Sequence, residues 1–148
     1  IDYDEFRQIW LAVADVKKPI WISFTVKDDD GTVLRSGELL DAAIEAALSA
    51  DVEGLLVNCS RPEAVEQSMP ILSKSGLPFG GMANSFVSAS DLQAGGVVDS
   101  LATRTDLGPA EYADYALGWV QLGATLIGGC CGIGPAHIAE IRHRINKA

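Results

Sequence analysis

The chain has 148 residues, 48% of them hydrophobic, which is the size of one globular domain with enough apolar surface for a core. Its formal charge of -9, from 20 acidic and 11 basic residues, disfavours nucleic acid and anionic membrane surfaces as partners. No segment is apolar over the roughly 18 to 20 residues of a membrane span, and none has the pattern of a secretory signal, so we expect a cytoplasmic protein.

The first half of the chain predicts a helix followed by alternating strands and helices. The helix covers residues 4–14. A β-branched and aromatic strand is predicted over residues 19–26. The acidic run that follows it, 28–30, is expected to be a solvated turn rather than a cation site. Apolar residues recur at helical spacing over 39–48, and a second strand covers 54–58. The alternation of strands and helices indicates βα units.

The next helix has recognisable start and stop signals. Ser60 and Glu63 have the spacing of a capping box, in which each side chain binds the backbone amide of the other residue, so we expect the helix to begin there. Pro70 lacks an amide hydrogen and predicts a break or kink before the helix ends by Gly76.

Two further strand–helix units complete the pattern. Strands are predicted over residues 77–83 and 125–129, and helices from Pro109 to Gly123 and from Gly134 through Ile145. A long loop, 84–108, precedes the third of these helices. Four apolar strands, each followed by a helix, predict an α/β fold with a parallel sheet covered by helices in one domain, 1–148. The tryptophans are expected in the core: Trp10, Trp21 and Trp119.

All three cysteines of the chain follow predicted strands. Cys59 follows the second strand, and Cys130 with Cys131 follows the last. The carboxyl ends of parallel strands share one edge of a sheet, so the three thiols should project from the same edge. Three thiolates with an open fourth position are typical of a catalytic zinc site. Two alternatives remain: buried cysteines that act as small hydrophobic residues, and a redox sensor that uses the adjacent pair and does not require Cys59.

Several motifs together resemble the homocysteine S-methyltransferase family. They are Asn58-Cys59-Ser60, Ala83-Asn84-Ser85 and the segment 128–138, GGCCGIGPAHI; residues 22–25 also fit the strand that precedes them. The resemblance covers nearly the whole chain. It implies the C-terminal half of a zinc-dependent TIM (βα)8 barrel, strands five to eight, preceded by a helix. Because the chain opens with isoleucine inside a helical pattern, we expect it to be a piece of a longer protein.

The resemblance also implies a function and a set of site residues. It implies Zn²⁺ on Cys59, Cys130 and Cys131, with no catalytic side chain beyond the metal site. The substrates would be homocysteine and a small methyl donor, giving methionine; S-methylmethionine is the preferred donor, and betaine and methyl-folate are the others. Asn84 and Gly129 are expected to contact the substrate.

The remaining residues and motifs do not indicate a different active site. His137 and His143 lie in the final helix and are expected to be surface or supporting residues rather than ligands. No serine triad or phosphate-binding loop is present, so neither serine chemistry nor a nucleotide cofactor is expected. The main alternative is a catalytically incomplete half-barrel, which binds zinc but needs its missing half or self-association to cover its open strand edges.

Overall fold

The computed structural model of the chain describes residues 18–89 and 101–147. Within these residues four parallel strands form one sheet in the order β1-β2-β3-β4. The strands are β1 (Trp21–Phe24), β2 (Gly54–Asn58), β3 (Phe79–Met82) and β4 (Leu126–Ile127). The helices are α1 (Leu40–Leu48), α2 (Pro62–Leu72), α3 (Pro109–Gln121) and α4 (Pro135–Ile145). The predicted α/β class and parallel sheet are confirmed; the helix predicted over 4–14 and Trp10 lie outside the described residues.

The strand register aligns the carboxyl ends of neighbouring strands. Asn58 at the end of β2 pairs with Met82 at the end of β3, and Gly81 pairs with Ile127 at the end of β4. Pairing continues past the strands, because the Cys59 amide donates to the Met82 carbonyl at 3.1 Å. These hydrogen bonds hold the segments that follow the strands in fixed positions at one edge of the sheet.

The core lies between the sheet and the helices. β2 is buried over its first four residues. Trp119 and Tyr112 of α3 are fully buried and lie close to Gly81 of β3 and to Ala83, respectively. Two glycines in β3 permit close packing there. A Cβ atom at Gly80 would lie 1.7 Å from the Leu126 carbonyl oxygen, and one at Gly81 would lie 2.4 Å from Val65 Cγ1.

The predicted capping box is wrong. Helix α2 begins at Pro62, the residue before it makes no side-chain capping bond, and Ser60 is fully buried. The Ser60 hydroxyl instead accepts from the Val26 amide at 3.0 Å and donates to the Asn58 carbonyl at 3.0 Å. The proline has a backbone dihedral suited to a first helical turn, so it starts the helix, and the serine binds the segment after β1.

Of the break or kink predicted at Pro70, the break is wrong. Helix α2 continues through Pro70 to Leu72, and a 3-10 turn, Ser73–Ser75, follows. The proline lies in the last turn of the helix, where one missing amide hydrogen bond does not end it. The chain then leaves the helical conformation at Gly76, whose φ is 73°, as the sequence predicts.

The sheet differs from the prediction at its two outer strands. Trp21, expected in the core, has 53% of its surface exposed, because β1 is the first strand of the described sheet. Trp119 is fully buried, as expected. β4 has only two residues, so Gly128 and Gly129 lie beyond it rather than inside it. In the described part of the chain, no helix has the length and apolar character needed to cross a bilayer.

Candidate metal centre

Three thiols converge at the carboxyl edge of the sheet. The sulfur atoms of Cys59, Cys130 and Cys131 all lie within 4.8 Å of one another, and Cys130 Sγ is 3.8 Å from Cys131 Sγ. Tetrahedral zinc with Zn–S bonds of about 2.3 Å holds its sulfurs about 3.8 Å apart. The thiols are free, half-buried and of the right spacing for one zinc ion, so the donor set fits the metal. Among the described residues, no other group of three or more such side chains converges in this way.

Cys59 adopts a backbone conformation that is uncommon for a residue with a side chain. Its φ is +51°, in the left-handed region, immediately after β2. Such conformations cost free energy and concentrate at functional sites. The turn is held by the bond from the Cys59 amide to Met82 and by the Arg35 guanidinium, whose Nη2 donates to the Cys59 carbonyl at 3.1 Å.

The segment that carries Cys130 and Cys131 is a tight turn bound to the end of β3. The Cys130 amide donates to the Ala83 carbonyl at 2.9 Å, and the Cys131 carbonyl accepts from the Ser85 amide at 3.0 Å. Gly132 has φ +78°, and a Cβ atom there would lie 1.9 Å from Ser85 Oγ. This residue must therefore be glycine for the turn to keep its shape.

Gly129 has a clear packing role. A Cβ atom at this position would lie 2.2 Å from Ile133 Cγ2, so the absence of a side chain lets the turn fold back on itself. Its contact with substrate stays a prediction.

Asn84 lies between the two segments that carry cysteines. The residue is fully buried, its amide donates to the Ser60 carbonyl at 3.0 Å, and its Oδ1 accepts from the Phe86 amide at 3.1 Å. Within the described parts of the chain, its Nδ2 has no hydrogen-bond partner. An unpaired buried amide costs about 1 to 3 kcal/mol, which is consistent with a group that binds a ligand.

Burial and mutual proximity favour the protonated thiols when metal is absent. Burial raises the pKa of Cys59 to about 12, with the neighbouring Cys130 thiol as the next cause. Burial also raises the pKa of Cys131, and Cys130 again contributes. At neutral pH these two thiols therefore hold their protons until a cation displaces them.

The two histidines lie outside the thiol cluster. His137 Nδ1 accepts from the Gly134 amide at 3.2 Å, so its ring closes the first turn of α4, and it packs edge-on against Tyr112. His143 is exposed on the same helix.

The inclusion of Cys59 in the cluster favours a metal site over a redox sensor, because a sensor would use only the adjacent pair Cys130 and Cys131.

Tyr112 is a supporting residue that the sequence did not indicate. Its hydroxyl accepts from the Ala83 amide at 3.1 Å and donates to the Gly128 carbonyl at 2.8 Å. It thereby joins the segment that follows β3 to the segment that leads into Cys130. Burial raises the pKa of Tyr112, so the hydroxyl keeps its proton and the bond to Gly128 persists at all ordinary pH values.

The Tyr112→Phe variant is expected to lose about 1 to 3 kcal/mol of unfolding free energy, because the buried amide of Ala83 and the part-buried carbonyl of Gly128 lose their partner. Urea denaturation of the metal-free chain measures this loss. The matched control is Tyr115→Phe, which removes one hydrogen bond at 2.9 Å to the part-exposed Glu63. Its loss should be smaller, because Glu63 keeps its bond to Arg104 and is accessible to water. Equal losses in the two variants would contradict a bridging role for Tyr112.

Arg104 anchors the loop that follows Asn84, and sequence reasoning missed this too. Its guanidinium, on a side chain only 10% exposed, binds Glu63 at 2.6 Å and Asp106 at 2.7 Å. Its amide donates to the Ser85 carbonyl at 2.7 Å. Burial alone would raise the pKa of Glu63, but hydrogen bonds from its own backbone and from Arg104 lower it, so the carboxylate stays charged.

Parallel βα units with a thiol cluster at their carboxyl edge define the class: one half of a TIM-type (βα)8 barrel with a candidate metal centre. The model of the homocysteine S-methyltransferase family matches residues 1–145. The chain belongs to this family.

Known relatives are considerably longer than this chain. It is 29% identical over 140 residues to homocysteine S-methyltransferase 2 of Arabidopsis thaliana, a match that covers 91% of this chain and 39% of that protein. It is also 29% identical over 145 residues to homocysteine S-methyltransferase 4 of Zea mays, with 90% and 38% covered. The chain therefore spans about two fifths of the length of these relatives.

Solved structures agree with this assignment. The fold is similar to that of the homocysteine methyltransferase MmuM from Escherichia coli in its metallated form, with a TM-score of 0.71 and 26% identity. The oxidized form of the same enzyme gives a TM-score of 0.71 and 25% identity. Each match covers 97% of this chain and 42% of that enzyme, which agrees with a half-barrel.

Proposed function

We propose that residues 1–148 are a partial homocysteine-binding domain that supplies the zinc site of a homocysteine S-methyltransferase. The reaction is transfer of a methyl group to the sulfur of homocysteine, which gives methionine. The observation that carries the proposal is the convergence of three cysteine sulfurs within 4.8 Å at the carboxyl edge of the sheet. Family membership and the metallated form of the relative MmuM support the same proposal.

Cys59, Cys130 and Cys131 would hold the metal. Zinc bound there supplies the positive charge that keeps a substrate thiolate deprotonated at neutral pH, where a free thiol with a pKa near 8.5 mostly keeps its proton. The three cysteine thiolates carry more negative charge than one divalent cation neutralises, so they leave the homocysteine sulfur electron-rich. That sulfur forms a bond to the methyl carbon, and the electron pair of the broken bond stays with the donor.

Asn84 and Gly129 are the proposed substrate contacts. The Nδ2 of Asn84 is buried and without a partner in the described residues, so it can donate a hydrogen bond to a ligand without breaking an existing one. Gly129 leaves its backbone open to close approach beside Cys130. Both residues position the amino acid, and neither transfers a proton.

S-methylmethionine is the proposed methyl donor, ahead of betaine and methyl-folate. A donor with a positively charged sulfonium or ammonium group is attracted by the formal charge of -9 and by the thiolates of the site. Methyl-folate carries carboxylates and lacks this attraction. S-methylmethionine is positively charged overall and leaves as methionine, which is neutral overall, whereas betaine is neutral overall, so the attraction favours S-methylmethionine.

The second candidate is a half-barrel that binds zinc but is inactive without its missing half or a second copy. It is favoured by the 53% exposure of Trp21 on β1 and by the coverage of only 42% of the MmuM chain. Methionine formation separates the two candidates. Zinc-loaded chain is assayed with homocysteine and S-methylmethionine, alone and after addition of the N-terminal half of a relative. Turnover alone supports the enzyme, whereas turnover only in the mixture supports the incomplete half.

Zinc affinity is expected to rise steeply between about pH 6 and pH 8. The pKa values of Cys59 and Cys131 lie above their ordinary 9.0, so both thiols are protonated across this range and must release protons when metal binds. Release of at least two protons corresponds to a gain of at least about 100-fold in affinity for each pH unit. Competition with a chromophoric chelator of known pH dependence measures the slope. A flat profile would show that the thiols are not the ligands.

A further inference from the structure

An arginine that the proposed reaction does not use lies beside the thiol cluster. Nη2 of Arg35 donates to the carbonyl of Cys59 at 3.1 Å, and the Arg35 amide donates to the Thr25 carbonyl at 2.9 Å. The segment after β1 that carries Arg35 is held by antiparallel bridges, Val26 to Leu34 and Val33 to Leu39. A guanidinium is therefore fixed at the edge of the sheet where the three sulfurs converge.

The charge of Arg35 is not neutralised within the described part of the chain. There, ion pairs engage Arg61, Arg104 and Arg144, and none of them involves Arg35. An exposed guanidinium without an ion pair, beside a half-buried cluster of thiols, is suited to an anionic group that enters with a ligand.

Among the described residues, this guanidinium makes one hydrogen bond, to Cys59, so its other N–H groups are accessible on an exposed side chain. Guanidinium and carboxylate form paired hydrogen bonds that are about twice as strong as neutral ones. Homocysteine and S-methylmethionine both carry an α-carboxylate a short chain away from the reacting sulfur. We propose that Arg35 binds the carboxylate of the amino acid whose sulfur reacts at the thiol cluster, an inference that rests on the proposed function.

Arg35 also holds the strained turn at Cys59, whose φ is +51°, and a purely structural role must be distinguished from recognition. A structural role predicts weaker binding of every thiol and of the metal itself. Carboxylate recognition predicts a loss that is confined to ligands with a carboxylate. The two roles therefore differ in their dependence on the ligand.

The test is a binding titration of the cobalt(II)-loaded chain, in which the visible spectrum reports a thiol that reaches the metal. Homocysteine is compared with 3-aminopropane-1-thiol, which has the same chain with hydrogen in place of the carboxylate. Arg35→Gln should bind homocysteine about 10-fold more weakly and bind the aminothiol as the unmodified chain does. The matched control, Arg142→Gln, removes another exposed arginine, on α4, and should change neither affinity. The homocysteine affinity of Arg35→Lys should fall between those of the unmodified chain and Arg35→Gln. Lysine keeps the positive charge but lacks the planar guanidinium that forms two parallel hydrogen bonds to a carboxylate.

The outcomes separate carboxylate recognition from a structural role. If homocysteine affinity is unchanged in Arg35→Gln, or if both thiols and cobalt weaken equally, the inference is overturned. If no thiol changes the cobalt spectrum of the unmodified chain, the proposed function itself fails, and the inference fails with it.

Discussion

The Cys59→Ser variant is expected to lose stoichiometric zinc. The unmodified chain, purified under reducing conditions, should hold about one zinc ion, whereas the variant should bind it more than about 100-fold more weakly. The physical reason is that a serine hydroxyl keeps its proton at neutral pH and is a poor zinc ligand. Cys59 follows β2, whereas Cys130 and Cys131 follow β4, so its loss leaves only the two adjacent cysteines as ligands.

Zinc content by mass spectrometry of the metal checks this prediction. His143→Gln is the matched control, because it removes an exposed imidazole, a side chain of a type that can bind zinc, which lies outside the cluster. The control should keep its zinc. Full zinc content in Cys59→Ser, or loss of zinc in His143→Gln, would show that the ligand set is different from the three cysteines.

The Gly80→Ala variant is expected to destabilise the fold by about 3 kcal/mol or more. Its Cβ atom would lie 1.7 Å from the carbonyl oxygen of Leu126 and 2.5 Å from the carbonyl carbon. These are backbone atoms of the neighbouring strand, and Gly80 pairs directly with Leu126 in the sheet. Relief of the clash must therefore move β4 away from β3. Cys130 and Cys131 follow β4, so zinc binding should weaken in the same variant.

Gly54→Ala is the matched control for this effect. Gly54 is also a buried strand glycine, but the atoms nearest to its Cβ atom would be ring atoms of Trp21, at 3.1 to 3.3 Å. Trp21 is 53% exposed and its ring can turn away, so the control should lose less than about 1 kcal/mol. Urea unfolding curves and zinc content of the two variants provide the comparison. Superimposable curves would contradict the close packing of β3 on β4.

The sequence was informative where the signal is local and periodic. The apolar run 54–58 is a strand because it is bounded by turn residues and buried on both faces, and helical spacing marks α3 and α4 equally well. The cluster of three thiols was predictable for a topological reason. In a parallel sheet, residues that follow strands are brought to one edge, so Cys59 and Cys130 meet although they are far apart in the chain.

Features that depend on contacts between distant residues were not predictable. Ser60 has the correct spacing for a capping box, but its hydroxyl binds Val26, whose proximity follows from the register of β1 and β2. Trp21 is apolar in sequence, but its exposure depends on the neighbours of β1. The roles of Tyr112 and Arg35 depend on bonds to carbonyls of Gly128 and Cys59, and no spacing in the sequence indicates these partners.

The measurement that tests the central claim most directly is zinc K-edge X-ray absorption of the zinc-loaded chain with and without homocysteine. The claim is that Cys59, Cys130 and Cys131 bind one zinc ion whose fourth position accepts the homocysteine sulfur. Without homocysteine, the predicted result is three sulfur neighbours at about 2.3 Å from zinc and one lighter atom at a shorter distance. With homocysteine, it is four sulfur neighbours. Four sulfurs before homocysteine is added, or three after saturation with it, would contradict the claim.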